Sequence, residues 1–134
     1  RLRDMGVEPF LIASTLIGVL AQRLVRVLCE HCKAPHPANA EEQKLLKIDT
    51  HRKIYTHVGC ELCQQTGYHG RIGIYELITI NKKIQNLIHH NADEQKLLSA
   101  IGVRHKTLYS QAIRAVLAGT TSINEMLRVS SEED

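Results

Sequence analysis

The chain has 134 residues, 43% of them hydrophobic and 23% charged, a globular composition that suits one small core or parts of two. A net charge of +3, four Tyr, one Phe and no Trp supply neither the cationic field nor the aromatic platform of a nucleic-acid binder. The longest apolar stretch, Pro9 to Ala21, is broken by Ser14, Thr15 and Gly18 and falls short of the roughly 20 residues of a bilayer span, so no direct membrane span is expected.

The opening Arg1-Leu2-Arg3-Asp4 reads as the interior of a longer protein, with Arg1 to Met5 as a last helical turn and Gly6 as its left-handed end. Pro9 suits a first helical turn, and Phe10, Ala13, Leu16, Ile17, Leu20 and Ala21 recur at the helical period, which predicts a buried helix over Pro9–Ala21. The branched run Leu24–Leu28 predicts a strand. From Cys29 to Cys63 the chain turns polar, with a short helix expected over Glu41–Lys47 and a strand over Lys53–His57. Arg71–Ile78 reads as a returning strand whose imperfect alternation suggests burial on both faces. After Ile80 the pattern is helical: Asn81, Asp93 and Thr107 are candidate caps, Gly102 and Gly119 candidate stops, and Ser122-Ile123-Asn124-Glu125 has capping-box spacing. Ser130–Asp134 reads as a frayed acidic tail.

Chemistry concentrates in the four cysteines. Cys29-Glu30-His31-Cys32 and Cys60-Glu61-Leu62-Cys63 are two knuckles separated by 27 residues. Two residues between cysteines let both sulfurs face one tetrahedral ion, and two such knuckles fill its shell, which points to one structural zinc with no position left for a catalytic water. Two disulfides or a thiol redox pair are the competing readings. Structural zinc contributes about 10–16 kcal/mol to folding, against roughly 3 kcal/mol plus a constant to close the loop. Removing the ion is therefore expected to loosen Lys33–Gly59 more than the helices after Asn81. His31 could replace a cysteine but reads better as an exposed side chain, and His51, His57, His69, His89, His90 and His105 as surface histidines.

No phosphate loop is present; Gly102-Val103-Arg104-His105-Lys106-Thr107 ends in Lys-Thr but lacks the second glycine of the cradle. No hydrolase triad is legible. Taken alone, these residues describe a structural or interaction module, and a free-standing zinc ribbon that binds nucleic acid or protein is the alternative of a different class.

Three runs go further. Arg1-Leu2-Arg3-Asp4-Met5-Gly6-Val7-Glu8-Pro9-Phe10-Leu11-Ile12, Ala21-Gln22-Arg23-Leu24-Val25-Arg26 and Gly67-Tyr68-x-Gly70-Arg71-x-Gly73-Ile74-Tyr75-Glu76, together with both cysteine pairs, resemble the carboxy-terminal part of the ATPases of type II secretion and type IV pilus assembly. The resemblance implies an α/β fragment in four parts: the last helix and strand of a RecA-like nucleotide-binding domain over 1–28, a zinc-binding subdomain over 29–63, a returning strand of the ATPase domain over 64–80, and a small all-helical domain over 81–134. It implies a cytoplasmic homo-hexameric parent that binds ATP and Mg2+ upstream of this segment, associates with the bacterial inner membrane through secretion-platform proteins, and drives a pseudopilus. The segment itself would be inactive, with Zn2+ on Cys29, Cys32, Cys60 and Cys63. Arg71 would lie near the nucleotide; the plainer reading pairs it with Glu76.

Overall fold

A computed structural model describes residues 1–102 and 105–130. In chain order the elements are α1 (Pro9–Thr15), β1 (Gly18–Leu28), β2 (Ala34–Pro37), α2 (Ala40–Leu46), β3 (Lys53–Thr56), a 3-10 turn over Glu61–Cys63, β4 (Tyr68–Thr79), α3 (Lys82–His89), α4 (Glu94–Ile101), α5 (Leu108–Leu117) and α6 (Ile123–Ser130). β1 pairs with β4 in one two-stranded sheet, and β2 with β3 in another. The elements fall into two compact units, Arg1–Ala21 with Glu76–Lys106, and Gln22–Tyr75 with the residues from Thr107 on.

In the first unit, Met5 N–H donates to Arg1 O at 3.0 Å and Gly6 follows at φ +88°, so the expected turn and its left-handed stop are both present. The helix opened by Pro9 is shorter than its apolar spacing suggests. It stops at Thr15 instead of Ala21, because the Ser14 and Thr15 hydroxyls donate to Leu11 O at 3.1 and 2.6 Å and Leu16 already has extended backbone. Hydroxyls that bond the preceding turn compete with helix propagation, and the following Ile17-Gly18-Val19 favours a strand. β1 consequently begins at Gly18 and absorbs residues expected to be helical. α1 is only partly buried: Ile12 and Ala13 are covered, while Phe10 and Leu11 are exposed. α1 packs on α3, and α3 on α4. The Asn81 and Asp93 side chains accept from the N–H groups of Ile84 and Lys96 at 3.0 and 2.9 Å, and Gly102 adopts φ +87°. The Gly102–Thr107 run, read as unable to form a phosphate cradle, includes Val103 and Arg104, and the expected tail includes 131–134; these lie outside the described residues.

The second unit holds the larger core, with Val25, Leu28, Ala38, Leu46, Ile54, Leu108, Ala112, Val116 and Met126 buried. β2 was not foreseen, since Pro35 and Pro37 argue against a strand. In a two-stranded ribbon those residues need not donate on their outer edge, and β2 pairs antiparallel with β3 in the register Pro35↔Tyr55 and His36↔Ile54. α2 carries a full capping box between Asn39 and Glu42 and ends on left-handed Lys47. β4 is longer than predicted and is not buried on both faces: Tyr68 and Ile74 are covered, whereas Tyr75 is exposed. Thr107 caps α5 by accepting from Ser110 N–H at 3.1 Å, and Gly119 closes it at φ +71°. α5 packs on both α6 and β3.

Candidate metal centre

The two knuckles are built by the ends of the long strands. Cys29 follows β1, and its N–H donates to Gly67 O at 2.9 Å, just before β4 begins. Cys60 and Cys63 bracket the 3-10 turn, and Gly59 and Gly67 sit where a Cβ would lie 2.7 Å from Gln65 O and from the His57 side chain. Only glycine permits that approach, which brings the second knuckle onto the first.

The result is a four-sulfur cage. All four Sγ atoms lie within 4.8 Å of one another. Cys29 and Cys60 are 3.9 Å apart, Cys32 and Cys63 3.8 Å, and Cys60 and Cys63 3.7 Å. A tetrahedral zinc with metal–sulfur bonds of about 2.3 Å requires sulfur–sulfur edges of about 3.8 Å, whereas a disulfide requires about 2.0 Å. The observed separations match such edges and exceed a disulfide bond, so the cage has the dimensions of a site for one ion. Backbone N–H groups aim at the sulfurs: Gly59 at Cys32 (3.3 Å), and Cys60 and Gly67 at Cys63 (3.2 Å each). Such donors stabilise thiolate charge around a metal.

The thiols differ in acidity. At Cys63, burial pushes the group up, but the N–H groups of Cys60 and Gly67 and the neighbouring thiols outweigh it and draw it down to about 6. At Cys32, burial again pushes up; the Gly59 N–H opposes it, the other three thiols add to the rise, and the group reaches about 11. A divalent cation is what would hold all four together as thiolates. These four cysteines could therefore hold one metal ion, with no further position open for water.

The remaining predicted site residues fall elsewhere. His31 is exposed, as expected. His57 is not a plain surface histidine: it stacks on Tyr68 with centroids 5.1 Å apart and meets the Tyr68 hydroxyl at 3.2 Å. His105 is also engaged, 2.7 Å from Glu76. Glu76 thus has His105 as a partner within its own unit. Arg71 is exposed and lines a cavity of about 420 Å³ with Arg26, Thr66, Tyr68 and Gly70.

One cluster was missed by sequence reasoning. Glu125, buried to 1% exposure, accepts from Arg26 N–H at 2.8 Å, from Arg26 Nε at 3.0 Å, and from Arg128 Nη2 at 3.0 Å. Burial pushes its carboxyl up, but the donors of Arg128 and Arg26 outweigh that and bring it down to about 2. The Arg26 guanidinium also lies over the Tyr68 ring, 4.1 Å from its centroid. The Ser122-x-x-Glu125 spacing was visible in the sequence but pointed to a cap; Arg128, three residues on, was the available sign of an ion pair.

The cage and its donors define a four-cysteine cluster that could hold a metal ion. The chain belongs to the Type II/IV secretion system protein family, which matches residues 1–128. It is 45% identical over 136 residues to the type II secretion system ATPase E of Vibrio cholerae, covering 98% of this chain and 27% of that protein. It is 43% identical over 133 residues to the type II secretion system protein E of Pectobacterium carotovorum, covering 99% of this chain and 27% of that protein. It is also 43% identical over 134 residues to the type IV pilus assembly ATPase TfpB of Acinetobacter baylyi, covering 96% of this chain and 23% of that protein. The chain thus spans about a quarter of the length of the curated relatives it matches.

Proposed function

We propose that this chain is the carboxy-terminal part of a cytoplasmic, hexameric ATPase that powers type II protein secretion by driving pseudopilus assembly, and that it contributes a structural zinc module, not the hydrolytic centre. The sulfur–sulfur edges of 3.7–3.9 Å carry this reading of the module. The relatives named as secretion ATPases support the reading of the parent. Zinc would be held by Cys29, Cys32, Cys60 and Cys63 as thiolates and would supply cross-linking, not Lewis-acid chemistry, because the shell is closed.

In this assignment residues 1–28 and 64–80 complete a RecA-like ATPase domain, 29–63 form the zinc subdomain, and 81–134 form a helical domain. ATP and Mg2+ belong to the upstream part, and the parent docks on inner-membrane platform proteins. Arg71, exposed beside Arg26, is the residue proposed to approach the nucleotide from this segment. Elemental analysis of protein purified without added metal should give one zinc per chain, and Cys→Ser at any of the four positions should abolish it. A metal-free, disulfide-linked chain would refute the module.

The Acinetobacter relative favours a second reading within the family, a type IV pilus assembly ATPase. Expression of the full-length protein in strains lacking either the secretion or the pilus ATPase decides between the two, since only the matching defect should be restored.

A further inference from the structure

The cage does more than close its own loop. Residues immediately beside the cysteines hold the ends of α5 and α6. Leu28, next to Cys29, donates its N–H to Thr120 O at 2.9 Å. Lys33, next to Cys32, donates from Nζ to Gly119 O at 3.1 Å, at the close of α5. Gly119 in turn lies so near the Tyr55 ring that a Cβ there would be 2.8 Å from it. Gly67, whose N–H points at Cys63 Sγ, is followed by Tyr68, whose hydroxyl meets Ser122 Oγ at 2.7 Å. Ser122 Oγ also accepts from Glu125 N–H at 3.3 Å, inside the first turn of α6.

The two helices need this support. α5 has 10 residues and α6 has 8, and helices shorter than about 12–15 residues are marginal on their own in water. α3 and α4 are equally short, but they belong to the first unit, where α3 packs on α1 and on α4.

We propose that the four-cysteine cage is the latch of the α5–α6 pair, so that loss of its metal undocks Leu108–Ser130 together with Lys33–Gly59 and leaves Lys82–Ile101 folded. This rests on the reading that the cage holds a metal, and it divides the carboxy-terminal helices into a metal-dependent pair and an independent one. The links anchored beside the cage are three, the Leu28–Thr120 backbone bond, the Lys33–Gly119 bond and the Tyr68–Ser122 bond, whereas the Arg26 bonds to Glu125 and Thr121 are anchored within β1. When the knuckles open, Leu28, Lys33 and Tyr68 lose their fixed positions at once, and these three links go with them, leaving the bonds from β1 to hold α6 alone.

The test is amide hydrogen exchange on the full chain, read by peptide mass spectrometry, with zinc and after removal by a chelator, with metal content measured on the same samples. The expected result is a rise of at least about tenfold in exchange over 108–130 and 33–59, with 82–101 unchanged. Faster exchange over 33–59 alone overturns the latch, and so does equal acceleration over 82–101, which would be global unfolding. Absence of zinc from the untreated protein refutes the metal reading instead, so the two failures are distinguishable. The double variant Tyr68→Phe with Lys33→Met cuts two links without touching a cysteine. It should keep one zinc per chain yet raise exchange over 108–130; unchanged exchange there would also overturn the proposal.

Discussion

Glu125→Gln isolates the value of the buried ion cluster. The change keeps the shape of the side chain but removes the charge that Arg26 and Arg128 face, and it turns an amide donor toward groups that only donate. The carboxyl lies at about 2 instead of its ordinary 4.5, which corresponds to about 3 kcal/mol of stability at neutral pH. Its acidity is increased by folding, so this contribution is complete above about pH 5 and is lost as the pH falls toward 2. The variant should therefore be about 3 kcal/mol less stable than the parent at pH 7, and the gap should shrink below about 1 kcal/mol near pH 2. Urea titration followed by tyrosine fluorescence is the suitable assay, because Tyr55, Tyr68, Tyr75 and Tyr109 all lie in the unit that contains Glu125. Taking the difference between the two proteins at each pH removes acid release of metal from the cage, which both share. A gap under about 0.5 kcal/mol at pH 7, or one that stays constant with pH, would refute the assignment of Glu125 as a charged anchor.

Three further outcomes are expected. Asn39→Ala should cost about 1 kcal/mol in the same assay, since its side chain accepts from the N–H groups of both Glu41 and Glu42. Leu20 and Leu77 are 60% and 59% exposed on the paired strands, so the isolated chain should self-associate; a concentration-independent monomer in sedimentation velocity would contradict this, and Leu20→Lys with Leu77→Lys should suppress it. The isolated chain should turn over no ATP above a buffer blank, while Arg71→Ala in the full-length protein should lower turnover without changing zinc content, and Arg71→Lys should rescue little because the planar donor fork is lost.

What was legible in the sequence was what is local. Asn81, Asp93 and Thr107 each satisfy an N–H three residues away, so their chemistry is contained in a short window; Asn39, two residues before the expected start at Glu41, acts in the same way but was not singled out. The cysteine pairs were legible for a related reason: each knuckle is local, and the two-residue spacing is itself the geometry of the site. The error at Pro9–Ala21 came from a periodicity that continues past the point where the Ser14 and Thr15 hydroxyls end the helix. The strand at Ala34–Pro37 was hidden by its prolines, which only a ribbon edge tolerates.

Glu125 could not be read because its partner Arg26 is 99 residues away, and this distance also bears on how the cage supports α6. Closing the cage shortens that loop by the 31 positions that separate Cys29 from Cys60. The cost of loop closure grows only as the logarithm of length, so this shortening is worth about 0.3 kcal/mol. That is small beside the roughly 1 kcal/mol of an ordinary hydrogen bond. Chain entropy alone therefore cannot make α6 depend on the metal. The dependence has to run through direct contacts, of which Leu28 to Thr120, Tyr68 to Ser122 and Lys33 to Gly119 are anchored next to cysteines or their N–H donors. A cross-link that closes the same loop without fixing Gly67 and Lys33 would leave α5 and α6 loose, whereas restoring the cage geometry would hold them. The metal is thus expected to act through the positions of the residues beside it, not through the length of the loop it closes.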